Sequence, residues 1–204
     1  IDWPLRCLHA HGAPVFDRPD QFDPKRVRLA DIDGSGVTDL IYLGHDAVRI
    51  YLNESGNGWA PAQSVTAFPN IDNLATVQAL DLLGNGTACL VWSSPLEHER
   101  RTAFRYIDLM GGQKPHLLVT VRNNLGAETH IRYLPSTRFY LEDLQAGRPW
   151  LTRLPFPVQV VERVETFDRV SRNWFVTRHR YHRGYFDGVQ PALRGFGLAQ
   201  QLDT

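Results

Sequence analysis

Three carboxylates stand close enough in this chain to do chemistry together: Asp31, Asp33 and Asp39, in the segment Asp31-Ile32-Asp33-Gly34-Ser35-Gly36-Val37-Thr38-Asp39. The form is D-x-D-G-x-G-x-x-D. Such a loop can converge on a hard cation if its glycines permit a tight turn. Ca²⁺ takes about six to eight oxygens, some of them main-chain carbonyls. Asp31, Asp33 and Asp39 would be ligands, with Ser35 or a carbonyl completing the set, and Gly34 and Gly36 would supply the turn. The same residues also suit a metal-free loop, in which Asp31 caps the turn through Asx-type hydrogen bonds and Asp39 opens the next strand.

The elements that must hold this loop become visible because it occurs twice. Val27-Arg28-Leu29-Ala30 precedes the first copy and Leu40-Ile41-Tyr42 follows it. Val77-Gln78-Ala79-Leu80 and Leu90-Val91-Trp92 flank a second copy 50 residues later. Asp81 takes the place of Asp31, Gly84 that of Gly34, and Gly86 that of Gly36. Leu83, Asn85 and Cys89 replace Asp33, Ser35 and Asp39, so the second loop keeps its turn and loses most cation ligands. The turn therefore forms without metal, and any Ca²⁺ belongs to the first copy. A period of 50 means one supersecondary unit used more than once, as in a propeller or other repeat array.

Around each loop the pattern reads strand, acidic turn, strand. Val48-Arg49-Ile50-Tyr51-Leu52 alternates as a half-buried strand, and Asn53 to Gly58 is a turn cluster. Phe104 to Met110 is a further strand, broken by Gly111-Gly112. Residues 1–24, rich in Pro, His and Asp, read as the end of a preceding unit plus a loop. After Gly112 the period disappears and long hairpins take over: 117–122 with 129–134, then 158–166 with 174–181. A helix is expected at about 138–146. β-branched and aromatic residues dominate, so the fold class is all-β.

Composition narrows the function classes. With 22 basic and 22 acidic residues the formal charge is zero, which disfavours nucleic acid and anionic membranes as partners. The basic residues are nearly all arginine, with Lys25 and Lys114 the lysines. Cys7 and Cys89 are too few for a disulfide scaffold, and Cys89 reads as a small buried hydrophobe. No apolar stretch reaches the roughly 20 residues that span a bilayer. The segment carries no signal peptide, and its start at Ile1 leads us to expect a piece of a longer polypeptide.

Enzyme motifs are missing: no G-x-S-x-G, H-E-x-x-H or P-loop is present. His179 and His182, near Asp187, are the best acid–base or metal candidates. Residues three apart on a strand face opposite sides, so these histidines converge only if the strand bends, and they read as structural, on an edge strand. Glu162 and Glu165 meet the same objection. Arg194-Gly195-Phe196-Gly197 suggests a bulge or close backbone approach, with Arg194 pairing with Asp187 across a turn at a structural corner that would depend on Arg194.

The acidic loops, Asp81 to Ser94, Tyr106-Ile107-Asp108-Leu109-Met110-Gly111-Gly112-Gln113-Lys114-Pro115-His116, Asn123-Asn124-Leu125-Gly126-Ala127-Glu128-Thr129, Gly147-Arg148-Pro149-Trp150, Gly184-Tyr185-Phe186-Asp187-Gly188 and Arg194-Gly195-Phe196-Gly197 together resemble the middle region of the B component of bacterial insecticidal toxin complexes. SpvB-type virulence proteins are similar in their middle part. The resemblance covers roughly residues 25 to 204. It implies β-propeller blades of FG-GAP or VCBS type over 1–112, followed over 113–204 by long β-hairpins of an RHS-type shell. It implies a non-enzymatic role. The segment would assemble with an RHS-repeat C component to enclose a toxin, and with a pentameric A translocation component to pass it. It implies no direct membrane insertion, and a protein secreted without a signal peptide in this segment and cytoplasmic before export. The competing expectation is a Ca²⁺-stabilised, integrin-like propeller fragment that binds a surface protein or glycan. A hydrolase with an unrecognised site is a weaker third.

Overall fold

The computed structural model describes residues 11–69, 71–72 and 74–203. Cys7 lies outside the described residues. The chain forms two compact units, one running to Leu82 and adding Thr87–Pro115, the other made of Leu83–Gly86 and His116–Thr204.

The first unit holds two antiparallel sheets. In one, β1 (Val27–Ala30), β2 (Asp39–Leu43), β3 (Val48–Tyr51) and β4 (Gln63–Val65) follow one another as a meander. In the other, β5 (Thr76–Leu80), β6 (Cys89–Ser93) and β7 (Phe104–Asp108) do the same. β2 is buried along its whole length, and β6 along all but its last residue. Both read as continuous apolar runs because each is an inner strand of its sheet and is covered on both faces. β3 is buried at three of its four residues rather than half-buried. Val48 and Ile50 enter the main core on one face, and Tyr51 packs with Leu40 and Tyr42 on the other, so both faces are covered, which alternation alone does not reveal.

A common core unites the two sheets: Ile41, Leu43, Val48 and Ile50 from the first, Val77, Leu90 and Trp92 from the second, with Ile32 from the loop between β1 and β2. Arg28 Nε donates to Val77 O at 2.8 Å across from β1 to β5, and Ala88 N donates to Ile32 O at 3.1 Å. Arg105 stacks its guanidinium 4.9 Å from the Trp92 ring centre.

The second unit is a five-stranded antiparallel sheet in the order β12-β11-β10-β9-β8 with one helix. Its strands are β8 (Thr120–Arg122), β9 (Ala127–Pro135), β10 (Gln159–Asp168), β11 (Trp174–Asp187) and β12 (Ala192–Asp203), and α1 is Ser136–Gln145. The fold is thus mostly β, and none of the three sheets closes on itself among the described residues.

β10 pairs with β11 only over Arg163–Phe167 and Trp174–Arg178. Beyond Arg178 β11 pairs with β12, and α1 packs along it. Phe139 and Asp143, four apart and so on one face of α1, are its buried anchors with Ser136. Phe139 meets Tyr181 edge-on at 5.8 Å, in a core with Trp150 and Val160. The helix stops where Gly147 takes φ +73° and Arg148 N returns to Asp143 O at 2.8 Å, a left-handed cap that favours glycine. Gly184 is needed for space rather than for its backbone angle. A Cβ there would sit 2.5 Å from Trp150 Cζ3, so only glycine lets the indole lie against β11.

Candidate functional site

The loop between β1 and β2 gathers Asp31, Asp33 and Asp39, with one carboxylate oxygen from each within 4.8 Å of the others. Gly34 and Gly36 take φ +71° and +89°, the left-handed values that fold the loop back on itself. Asp39 opens β2 and is 1% exposed. Its Oδ2 accepts from Ile32 N and its Oδ1 from Asn53 N, both at 2.8 Å. Asp31 accepts from Ser35 N at 3.0 Å and Gly36 N at 2.9 Å, and Asp33 from Ser35 N at 2.9 Å. Ser35 therefore joins the site through its main-chain N–H.

Electrostatics set Asp39 apart. Burial pushes its carboxyl above the usual aspartate range, and the charges of Asp33 and Asp31 add to the rise, against the two backbone hydrogen bonds. A cation would relieve this strain, since a nearby positive charge favours the ionised form. Lys114 brings one such charge to the loop: its Nζ donates to Gly34 O at 2.7 Å.

The second loop shows how the turn fares with fewer carboxylates. Gly84 and Gly86 take φ +64° and +81°, so the backbone repeats. Cys89, at the position of Asp39, is fully buried. The tip belongs to the second unit, where Gly84 O accepts from Thr137 Oγ1 and Asn85 O from Gln159 Nε2, each at 2.6 Å.

In the second unit, His179 and His182 do not come together. β11 is an interior strand, not an edge, and carries the two histidines to different neighbours. His179 stacks on Tyr181. His182 Nδ1 lies 2.7 Å from Asp143 Oδ2, which also accepts from Trp150 Nε1 at 2.8 Å. Arg148 approaches Asp143 Oδ1 at 3.3 Å. Burial alone would raise Asp143, but the hydrogen bonds from Trp150 and His182 and the charges of His182 and Arg148 hold its carboxyl below the usual range. Sequence reasoning missed this centre. Its faint signal is the spacing of four that puts Phe139 and Asp143 on one helical face.

A second carboxylate ties two hairpin tips together. Glu128 accepts from Arg122 at 3.0 Å and from Arg169 at 2.8 Å, which holds it below the usual glutamate range. At the β11–β12 turn, Arg194 donates to Asp187 Oδ2 at 3.1 Å, while Asp187 Oδ1 caps Val189 N and Gln190 N. The register shifts between Tyr185 and Phe186, opposite Gly195 at φ +104°, and Gly197 lies close against Arg183. With Arg194 about half exposed, this ion pair contributes little. Arg194 also donates to Gln190 Oε1 at 2.6 Å, so the turn carries both this pairing and the bulge with its glycine.

No curated protein matches the chain. Among solved structures, the crystal structure of TcdB2-TccC3 aligns at TM-score 0.82 and 38% identity, covering 94% of this chain and 9% of that one. TcdB2-TccC3-Cdc42 aligns at TM-score 0.81 and 37% identity over 92% of this chain and 9% of that one. The Tc holotoxin pore of Photorhabdus luminescens, carrying a TccC3 mutation, aligns at 0.81 and 38% over 94% and 9%. This chain thus spans about a tenth of the length of the chains it matches. Residues 53–204 match the model of the insecticide toxin TcdB middle/N-terminal region, and the chain belongs to that family.

Proposed function

We propose that the chain is a non-enzymatic, structural segment of a toxin-complex B component. The observation that carries this reading is its 37–38% identity, over more than nine-tenths of its length, to chains solved as TcdB2-TccC3 complexes and in a holotoxin pore. In this reading the two meanders of the first unit are propeller blades of FG-GAP or VCBS type, supported by the 50-residue repeat and its twice-formed turn. The five-stranded sheet of the second unit begins an RHS-type shell. An RHS-repeat C component completes the enclosure around a toxin, and a pentameric A component passes it on. The assembly is secreted, and neither nucleic acid nor membrane insertion enters its work. The carboxylates support a scaffolding role, because each buried one among the described residues is engaged in holding backbone or a neighbouring element. Co-expression of the intact polypeptide carrying this chain with an RHS-repeat C component tests the reading. Stoichiometric co-elution is expected; independent elution of the two would contradict it.

A cation at Asp31, Asp33 and Asp39 is a second, compatible reading, favoured by their convergence and by the raised Asp39. It predicts that millimolar Ca²⁺ raises the melting temperature, that a chelator reverses the gain, and that Asp31→Asn/Asp33→Asn abolishes it. A melting temperature indifferent to Ca²⁺ would leave a metal-free loop closed by Lys114.

A further inference from the structure

One surface of the second unit remains without a role. Register places Arg132 of β9 opposite Arg163 of β10, and Arg163 opposite Arg178 of β11. Cross-strand partners share a face, with Cβ atoms about 5 Å apart. Three guanidinium side chains therefore stand in a row across three strands. Like charges directly opposite one another destabilise a sheet, so a row of this kind calls for compensation. Arg163 finds some in Glu165, 2.6 Å away. Arg132 and Arg178, both exposed, have no carboxylate partner among the described residues.

Arg178 also lines a cleft of about 770 Å³ with Arg138, Glu142, His179 and Arg180. There Glu142 serves two guanidiniums, at 2.9 Å from Arg138 and 2.7 Å from Arg180, which holds it below the usual glutamate range, and Glu162 is the second carboxylate against the three arginines. His179 Nδ1 is buried with no hydrogen-bond partner. Positive charge therefore exceeds negative across both the row and the cleft, in a chain whose net charge is zero.

We propose that the Arg132–Arg163–Arg178 row and its adjoining cleft dock an acidic polypeptide segment from outside these 204 residues. Charge complementarity selects an acidic partner, and arginine pairs bidentately with carboxylates. The surroundings select a polypeptide over a polyphosphate chain. Glu142 and Glu162 in the cleft would repel a continuous line of phosphates, whereas Phe139 and Leu202 offer apolar contact to intervening side chains. Spacing fits as well: alternate side chains of an extended segment lie about 6.7 Å apart, the same interval that separates Arg178 and Arg180 along β11.

A short fluorescein-labelled peptide of alternating glutamate and leucine, titrated with the chain at concentrations where light scattering reports a monomer and followed by fluorescence anisotropy, tests the proposal. It should bind in low salt and weaken as salt rises. Arg132→Gln/Arg178→Gln should weaken it about tenfold or more. Because that variant removes like-charge repulsion, it should melt no lower than the parent. The glutamine version of the peptide should not bind. Failure of the glutamate peptide to bind, equal binding to the variant, or a large fall in the variant's melting temperature would overturn the proposal. So would competition by a single-stranded oligonucleotide or inorganic phosphate at equal charge concentration, which would make the row a general anion site.

Discussion

Asp143 keeps its charge where water barely reaches it, held by the indole N–H of Trp150, the imidazole of His182 and the guanidinium of Arg148. Removing one partner of such a group leaves the others uncompensated, so Asp143→Asn should cost about 3 kcal/mol at neutral pH, read from urea unfolding. The sign of its pH dependence follows from the lowered carboxyl. A carboxylate depressed in the folded state stabilises above its unfolded value, near pH 4, and loses that contribution as pH falls through the folded one. The gap between parent and Asp143→Asn should therefore narrow below about pH 4. A constant gap would mean that packing, not charge, is at stake. At Gly184 the constraint is purely steric. Gly184→Ala should cost about 1–3 kcal/mol by overpacking against Trp150, whereas Gly188→Ala, with nothing near its Cβ position, should leave the unfolding midpoint close to the parent's.

At the scale of elements, the two acidic loops show one backbone solution reached with different side chains. In the first, Asp39 ties the N–H of Ile32 to that of Asn53, joining the loop to the end of β3. Asp39→Ala should therefore cost about 2–4 kcal/mol through two orphaned donors. Asp31→Ala, at an exposed position, should cost under about 1 kcal/mol. Denaturant midpoints that reversed this order would contradict the assignment of Asp39 as the brace.

These loops, their flanking strands and the helix are the parts of the fold most legible in the sequence. Repetition marks Asp31 to Asp39 against Asp81 to Cys89, and α1 falls at Ser136–Gln145 where local pattern points to about 138–146. The full length of β11 and the strand β12 were less legible. Gly184, Gly195 and Gly197 interrupt the apolar pattern, and only the register with its bulge explains why pairing continues past them. Of the polar centres, the loop carboxylates were visible because they are local. Asp143 and His182, 39 residues apart, were not, because their meeting depends on α1 packing along β11. The arginine row is hidden for the same reason: Arg132, Arg163 and Arg178 look like scattered surface charges until the strands are paired.

For the whole molecule, the open sheets matter most. β12 presents a twelve-residue edge, and unpaired edges of this length invite further pairing. In the proposed shell that pairing is with neighbouring strands. The isolated chain should then associate as its concentration rises, and light scattering reporting a clean monomer over a wide range would count against this.

The central claim, a structural segment of a toxin-complex B component, is tested most directly by mass spectrometry on the native polypeptide and the proteins that co-purify with it. The account predicts a polypeptide of which this chain is a small fraction, held together with an RHS-repeat partner. A free chain of this size, purified without any such partner, would contradict it.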